Sequence, residues 1–159
     1  ALASVPLSIE RPQDTHDHCA SGTLSMLTAA QAVGVRRFVY SSSSSIYGNR
    51  DDQQQTETDL PAPESPYAAA KLAGEYYCSC FDRSMGLETV VLRYFNVFGP
   101  RQDPHGEAGV VAIFALAMLA GNQITIFGDG NDERDYVYVS DVVDAVMAAA
   151  APGGPHRSR

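Results

Sequence analysis

The sequence has 159 residues, of which 45% are apolar and 19% charged, a balance typical of a globular protein with one core of ordinary size. Its formal net charge of −8 argues against a surface that binds nucleic acid or an anionic membrane. No apolar run approaches the roughly 20 residues that a membrane span needs, and no signal peptide is visible. Cys19, Cys78 and Cys80 lack disulfide or metal spacing, so we expect reduced thiols in a cytoplasmic protein that binds no metal.

The amino-terminal part of the chain is predicted to be a loop followed by one helix. Residues 1–14 contain two prolines and are typical of a loop. From Thr15 to Val33 the apolar positions suit an amphipathic helix. Gly34 follows directly and would end that helix as a carboxyl-terminal cap.

A short strand then leads into a run of serines. Two basic residues and an apolar run over residues 36–41 predict a buried parallel strand. Five serines, residues 41–45, begin where this strand ends. Ligands of doubly wound sheets bind at the carboxyl ends of strands, so this position favours a binding site. A flexible loop is the other interpretation of such a run.

A polar loop over residues 49–65 precedes a long helix. Ser65 is a plausible amino-terminal cap and Pro66 a plausible first helical residue. In a helix over residues 66–85, Tyr67 and Lys71 lie on the same face because they are four residues apart.

A phenol beside a fixed ammonium can carry protons. Lowering its pKa by about three units requires roughly 4 kcal/mol, which a nearby cation in a dry site can supply. An isolated pair with the spacing of Tyr67 and Lys71 is more often a core tyrosine with a solvated lysine. The catalytic interpretation therefore depends on the serines that precede the pair.

The rest of the chain alternates short strands and helices. Tyr94, Phe95 and Asn96 stand at the carboxyl end of a predicted buried strand. The predicted elements are a strand at 89–93, a helix at 109–120, a strand at 123–127, a turn at 128–130, a strand at 137–139 and a helix from 140 or 141 to about 151.

Four motifs carry a family resemblance. SSSSSIYG, SPYAAAK, LRYFNVFGPRQDP and GDGNDERDYVYVSDVVDA occur in this order. They resemble the extended short-chain dehydrogenase/reductase family, and more narrowly its nucleotide-sugar 4-epimerases. The resemblance implies an α/β fold: a partial Rossmann-like, doubly wound parallel sheet with part of a small C-terminal substrate-binding region.

The resemblance also implies a division of the chain. Residues 1–107 would form the C-terminal half of an NAD-binding Rossmann-like domain, residues 108–139 part of the substrate-binding region, and residues 140–159 a returning helix with a frayed tail. The sequence contains no Gly-x-x-Gly-x-x-Gly loop and no initiating methionine. We therefore expect a fragment that lacks the N-terminal Gly-rich motif and the C-terminal part, and that binds NAD weakly or not at all.

Site residues follow from the same resemblance. Ser43, Tyr67 and Lys71 are the implied catalytic residues. The implied NAD contacts are Ser41, Ser42, Tyr67, Lys71, Tyr94 and Phe95. The implied substrate contacts are Ser44, Ser45, Asn96, Gln102, Val110, Thr125, Phe127 and Arg134.

The implied function is NAD-dependent 4-epimerisation of a UDP-hexose or UDP-N-acetylhexosamine through a 4-keto intermediate. A homodimer formed through the helix of Tyr67 is implied, with no nucleic-acid or membrane partner. Related dehydratases have Asp and Glu just after the catalytic hydroxyl residue, and decarboxylases typically have a Glu near the same place. Ser44 and Ser45 stand there in this sequence, which favours an epimerase. A dehydratase, a decarboxylase and an inactive truncated remnant remain the alternatives.

Overall fold

The computed structural model describes residues 2–49, 54–104, 109–131 and 133–155. Helices and parallel strands alternate along these residues, as the α/β prediction requires. The helices are α1 (Val5–Glu10), α2 (Pro12–His16), α3 (Gly22–Ala32), α4 (Pro66–Met85), α5 (Val110–Leu119) and α6 (Val139–Ala150). The strands are β1 (Arg37–Ser43), β2 (Glu88–Tyr94), β3 (Asn96–Phe98) and β4 (Tyr136–Tyr138).

The chain divides into two compact units, Ala1–Tyr94 with Val146–Arg159, and Phe95–Ala145. The predicted boundaries at residues 107/108 and 139/140 remain an expectation, and the first of them lies outside the described residues. Each unit contains one parallel strand pair, β1 with β2 in the first and β3 with β4 in the second.

Two local predictions were wrong. Residues 1–14 are not a loop throughout, because α1 and α2 occupy most of them. Their prolines lie in the first turn of each helix, where a missing N–H costs nothing, and Ser4 caps α1 by accepting from the Leu7 N–H at 3.0 Å. Residues 123–127 form no strand, since none of the described residues pairs with them.

The predicted helix from Thr15 to Val33 is present with an irregular start. A π-helical turn, Asp17–Ser21, joins α2 to α3 and buries Cys19 and Ala20. Gly34 follows the helix with a φ of 71°, a left-handed conformation that suits glycine at a helix end.

Strong local signals fix α4, the longest helix of the described residues. The Ser65 hydroxyl accepts from the Ala68 N–H at 3.1 Å, and Pro66 begins the helix. Gly86 ends it with a φ of 72°. The predicted cap, start and end of this helix are therefore confirmed.

The main core lies where α3 and α4 pack on β1 and β2. Its buried side chains are those of Leu27, Ala30, Tyr40, Cys78, Phe81 and Leu87. The two strands pair from Arg37 opposite Glu88 to Ser43 opposite Tyr94. This register brings the serine run to the same edge as the end of β2.

The second unit contains a helix with unusual exposure. Helix α5 consists wholly of apolar residues, yet none of them is buried. Leu119 is 87% exposed and Met118 is 61% exposed. A helix that is apolar on all sides is ordinarily covered by protein, so this chain presents an uncovered apolar surface.

We expect Gly74→Ala to destabilise the fold. A Cβ at this position would lie 2.2 Å from the Tyr40 hydroxyl oxygen and 2.5 Å from its ring carbon Cζ. Overpacking of this kind costs about 1–3 kcal/mol in the free energy of unfolding, which urea denaturation would measure.

Gly22→Ala is the matched control, because its Cβ would meet only the Asp17 carbonyl oxygen at 3.5 Å. Alanine there should be neutral or stabilising by roughly 0.5–1 kcal/mol, since glycine is a poor helix former. Equal effects of the two substitutions would contradict the packing argument.

Candidate active site

The site lies at the carboxyl ends of β1 and β2, beside the first turns of α4. Strand β1 ends at Ser43, which pairs in register with Tyr94 at the end of β2. Ser44–Tyr47 then form a 3-10 turn that leads the chain away from the strand. The serine run is thus part strand and part helical turn, and the flexible-loop interpretation is wrong for it.

Ser43 and Tyr67 meet through their side chains. The Ser43 hydroxyl lies near enough to the Tyr67 phenol for hydrogen bonding between the two to act to lower the pKa of that phenol. The Ser43 oxygen also accepts from the Ser45 N–H at 3.2 Å. Because one lone pair of Ser43 is used by a backbone donor, its hydroxyl proton is available to the tyrosine oxygen.

Lys71 is held between two aromatic rings. Its side chain is buried, and its Nζ donates to the Ser41 carbonyl oxygen at 2.7 Å. The same nitrogen lies 5.2 Å from the Tyr40 ring centroid and 5.9 Å from the Tyr67 ring centroid. Two ring faces and a carbonyl stabilise an ammonium without neutralising it.

The expected direction of the tyrosine pKa is not found in this chain. Burial raises the pKa of Tyr67 above its ordinary value, and the Ser43 hydrogen bond only partly opposes this. Burial lowers the pKa of Lys71. Desolvation is the largest cause of both shifts, and the Lys71 ammonium donates to the uncharged Ser41 carbonyl oxygen.

The predicted NAD contacts have different environments. The Ser41 hydroxyl donates to the Tyr94 hydroxyl at 3.2 Å, while the Ser41 backbone carbonyl accepts from Lys71. Ser42 is buried, and its hydroxyl donates to a carboxylate oxygen of Glu75. Phe95 is partly buried and is the first residue of the second unit.

Ser44 and Ser45 lie in the 3-10 turn, next to Ser43. The Ser45 hydroxyl oxygen is buried and has no hydrogen-bond partner among the described residues. A buried polar atom without a partner is costly in a folded chain, and functional sites are one place where such atoms occur.

The other predicted substrate contacts belong to the second unit. The Asn96 amide donates to the Asp135 carbonyl oxygen at 2.9 Å. The Gln102 amide donates to the Val97 carbonyl oxygen at 3.0 Å, while its own side-chain oxygen is buried without a partner among the described residues. Two polar side chains of this unit therefore support its local structure.

The remaining members of the set are more exposed. Val110 begins α5, and Phe127 is 86% exposed. Thr125 is exposed, and the Arg134 guanidinium donates to the Glu133 carbonyl oxygen at 2.7 Å.

Sequence reasoning missed an ion pair behind the serines. Arg93 on β2 donates to both carboxylate oxygens of Glu75 on α4, and it also donates to the Tyr47 hydroxyl. The spacing Tyr67, Lys71, Glu75 continues one helix face and could have indicated Glu75. Its partner Arg93 lies on a strand 18 residues further along the chain, and no local sequence pattern indicates that pairing.

Among the described residues, no helix is long and apolar enough to cross a membrane, and no cluster of three or more His, Cys, Asp or Glu side chains could hold a metal.

Comparison with known proteins identifies the family of this chain. Residues 1–157 match the model of the NAD dependent epimerase/dehydratase family. The chain belongs to this family. NAD is therefore the cofactor of the family, and the α/β Rossmann-like prediction is confirmed by solved relatives.

Among the relatives, UDP-glucose 4-epimerase of Mycolicibacterium smegmatis is 47% identical over 156 residues, 97% of this chain and 50% of that protein. The UDP-glucose 4-epimerase structure of Thermotoga maritima with UDP-glucose has a TM-score of 0.92 at 44% identity, covering 100% of this chain and 54% of that one. The Thermus thermophilus UDP-glucose 4-epimerase complex with NAD has a TM-score of 0.87 at 46% identity, covering 96% and 51%. The chain spans about half the length of the curated relatives it matches.

Family members with another reaction also match. A dTDP-glucose 4,6-dehydratase of Streptomyces niveus is 34% identical over 134 residues, which is 84% of this chain and 39% of that protein. Family membership alone therefore does not choose between epimerase and dehydratase.

We expect Ser43→Ala to raise the pKa of Tyr67 further, because it removes the hydrogen bond that lowers this pKa. Selective ¹³Cζ-tyrosine labelling would follow the titration by NMR, with Tyr67→Phe to assign the signal. Ser41→Ala is the control, since the Ser41 hydroxyl bonds Tyr94 and not Tyr67.

The pKa shift of Tyr67 also predicts a pH dependence. Because the pKa of Tyr67 is higher in the folded state than its unfolded value of ~10, the protonated phenol stabilises the fold. This contribution is fully present below the unfolded pKa and is lost as the pH rises through the folded-state pKa. Ser43→Ala should widen this window. An unchanged or lower Tyr67 pKa in Ser43→Ala would contradict the contact.

Proposed function

We propose that the protein containing this chain is an NAD-dependent nucleotide-sugar 4-epimerase acting on a UDP-hexose or UDP-N-acetylhexosamine. The observation that carries the proposal is the convergence of Ser43, Tyr67 and Lys71 at the carboxyl end of β1. UDP-glucose 4-epimerases among the relatives support the choice of substrate class.

Residues of this chain suit the nicotinamide end of the cofactor. Within the described residues the Lys71 ammonium has one hydrogen-bond acceptor, so two of its three N–H donors remain for a ligand. The Ser41 carbonyl that accepts from it belongs to a residue whose hydroxyl bonds the Tyr94 hydroxyl. We assign the cofactor contacts to Lys71, Tyr67, Ser41 and Tyr94, with Ser42 and Phe95 in supporting positions.

In this scheme the reaction needs a proton carrier at the sugar 4-hydroxyl. Tyr67 removes that proton, Ser43 passes it through its hydrogen bond to the phenol, and Lys71 stabilises the phenolate. Bound NAD would accept a hydride from C4 and return it to the other face of the 4-keto sugar, and its oxidised ring would add positive charge that favours the phenolate. Without that charge, burial keeps Tyr67 protonated.

The absence of carboxylates beside Ser43 favours epimerisation over water elimination. Dehydration of the sugar requires an additional acid and base, whereas Ser44 and Ser45 offer only hydroxyls. The unpartnered Ser45 oxygen is a suitable acceptor or donor for a sugar hydroxyl.

Further substrate contacts are proposed in the second unit. Asn96, Gln102 and Arg134 carry polar groups suited to a sugar diphosphate, and a guanidinium can bind two phosphate oxygens at once. Val110, Thr125 and Phe127 complete the proposed contacts.

The whole protein is further proposed to be a cytoplasmic homodimer that pairs through α4. This helix exposes Tyr76 and Met85, which are 62% and 52% exposed. Exposed apolar groups on a long helix are typical of a helix that packs against another copy.

We expect the full-length protein that contains this chain to interconvert the C4 epimers of a UDP-hexose or UDP-N-acetylhexosamine in the presence of NAD. Anion-exchange chromatography of the nucleotide sugars, coupled to mass spectrometry, would identify the products. Formation of a 4-keto-6-deoxy sugar alone would assign a dehydratase instead.

In that protein we expect Tyr67→Phe to lower kcat about 10²–10⁴-fold, because it removes the proton carrier. Tyr77→Phe is the matched control, since it deletes a hydroxyl from an exposed position on the same helix. A comparable loss in both variants would contradict the role of Tyr67.

The alternative of an inactive remnant is tested on the 159-residue chain itself. We expect calorimetric titration with NAD to show weak or no binding, because the sequence holds no Gly-rich phosphate loop. Tight stoichiometric binding would show that the chain needs no further segment to hold NAD.

A further inference from the structure

Behind the serines lies a charged pair that the catalytic scheme does not use. Glu75 follows Lys71 by one helical turn and Tyr67 by two, on the same face of α4. Its carboxylate side chain is only 10% exposed. Arg93 donates to it from Nε at 3.0 Å and from Nη2 at 2.7 Å, a forked arrangement that fixes both side chains.

The pair extends in two directions along the serine segment. The Ser42 hydroxyl donates to Oε1 of Glu75, immediately before Ser43 in the chain. The Arg93 Nη1 donates to the Tyr47 hydroxyl at 2.7 Å, at the last residue of the 3-10 turn. Both ends of the segment that contains Ser43, Ser44 and Ser45 are therefore bonded to one ion pair.

We propose that Glu75, Arg93 and Tyr47 are positioning residues that hold the Ser43 hydroxyl against the Tyr67 phenol. The proposal rests on the proposed function for its catalytic consequence and on contacts of this chain for its geometry. The hydrogen bonds of the three side chains run to one another and to Ser42, so their effect on Tyr67 passes through the backbone of residues 42–47.

A second ion pair on the same strands supplies the comparison. Arg37 bonds Glu88 at the amino ends of β1 and β2, and the Glu88 side chain is 49% exposed. Exposed pairs of this kind are worth little, whereas breaking a largely buried pair leaves a charge without its partner. Comparing Glu75→Gln with Glu88→Gln therefore separates two explanations. An effect of the first change alone indicates positioning of the serine segment, and equal effects indicate a general role of ion pairs in pairing β1 with β2.

The electrostatics of the pair exclude a pH switch. The hydrogen bonds from Arg93 to Glu75 raise the pKa of Arg93, so the guanidinium is charged at every working pH. The groups that face Tyr67 are Ser43 from β1, Lys71 from α4 and Cys19 from the π-helical turn, and Glu75 is not among them. A change in the pKa of Tyr67 on altering Glu75 therefore reports a moved Ser43.

The first test uses the full-length protein and the epimerase assay. Glu75→Gln keeps the shape and an acceptor for Ser42 but loses the charge, and Tyr47→Phe loses only the hydroxyl that Arg93 bonds. We expect each to lower kcat about ten- to hundredfold with KM changed less than about twofold, because misplacement of a reacting group affects the chemical step. Glu88→Gln should leave both parameters near wild type.

The second test needs no turnover and uses the 159-residue chain. With ¹³Cζ-tyrosine labelling, folded Glu75→Gln and Tyr47→Phe should raise the pKa of Tyr67 as Ser43→Ala does, while Glu88→Gln should not. Tyr47→Phe keeps the aromatic ring at residue 47. If Glu75→Gln does not fold, the Tyr67 pKa in Tyr47→Phe tests the positioning role by itself.

The outcomes separate the two proposals. A Tyr67 pKa unchanged in the folded variants would overturn the positioning role, whatever the reaction. A wild-type protein without epimerase activity, combined with a raised Tyr67 pKa in both variants, would refute the proposed reaction and keep the positioning role.

Discussion

The close approach of α4 to β1 is the contact on which the site depends. It is possible because residue 74 is glycine, against which the Tyr40 ring packs without room for a Cβ. From this position the Tyr40 hydroxyl donates to the Lys71 carbonyl oxygen at 3.4 Å, and its ring lies under the Lys71 ammonium. The Tyr40 side chain therefore sets both the distance between α4 and β1 and the position of the Lys71 ammonium. Tyr67, one turn earlier, is then brought to Ser43.

Burial of the two phenols suits the packing of this site but disfavours its proposed chemistry. It raises the pKa of Tyr40 to about 12 and also raises that of Tyr67, so both phenols remain neutral, and that of Tyr40 donates within the packed interface. The same burial disfavours the phenolate that proton abstraction requires. A site arranged in this way is stable when empty and gains basicity only when positive charge arrives. For the proposed reaction, this desolvated pair would require cofactor binding to precede proton transfer.

Local signals in the sequence were sufficient for α4, β1 and β2, because a Ser-Pro start, a closing glycine and apolar runs act within a few residues. The grouping of Ser43, Tyr67 and Lys71 came instead from the family resemblance, with the four-residue spacing of Tyr67 and Lys71 as its local part. Pro6 and Pro12 predict a loop but lie in the first turns of helices, and Ser4 supplies the cap of the first of these helices. The strand predicted at 123–127 has a suitable composition but no described strand beside it, and pairing is what makes a strand. The Arg93–Glu75 pair joins elements distant in sequence, which single-residue patterns do not encode.

The difference between an epimerase and a dehydratase in this family reduces, on these residues, to how negative charge is distributed around Ser43. Among the described residues, the Glu75 carboxylate contacts the serine segment through Ser42, and Arg93 neutralises its charge. Ser44 and Ser45 add hydroxyls without charge. A carboxylate in their place would lie beside the phenol, oppose its ionisation and offer a second proton carrier. With no carboxylate at Ser44 or Ser45, Tyr67 is the proposed acid–base group next to Ser43, which suits a reaction that removes and returns a single proton.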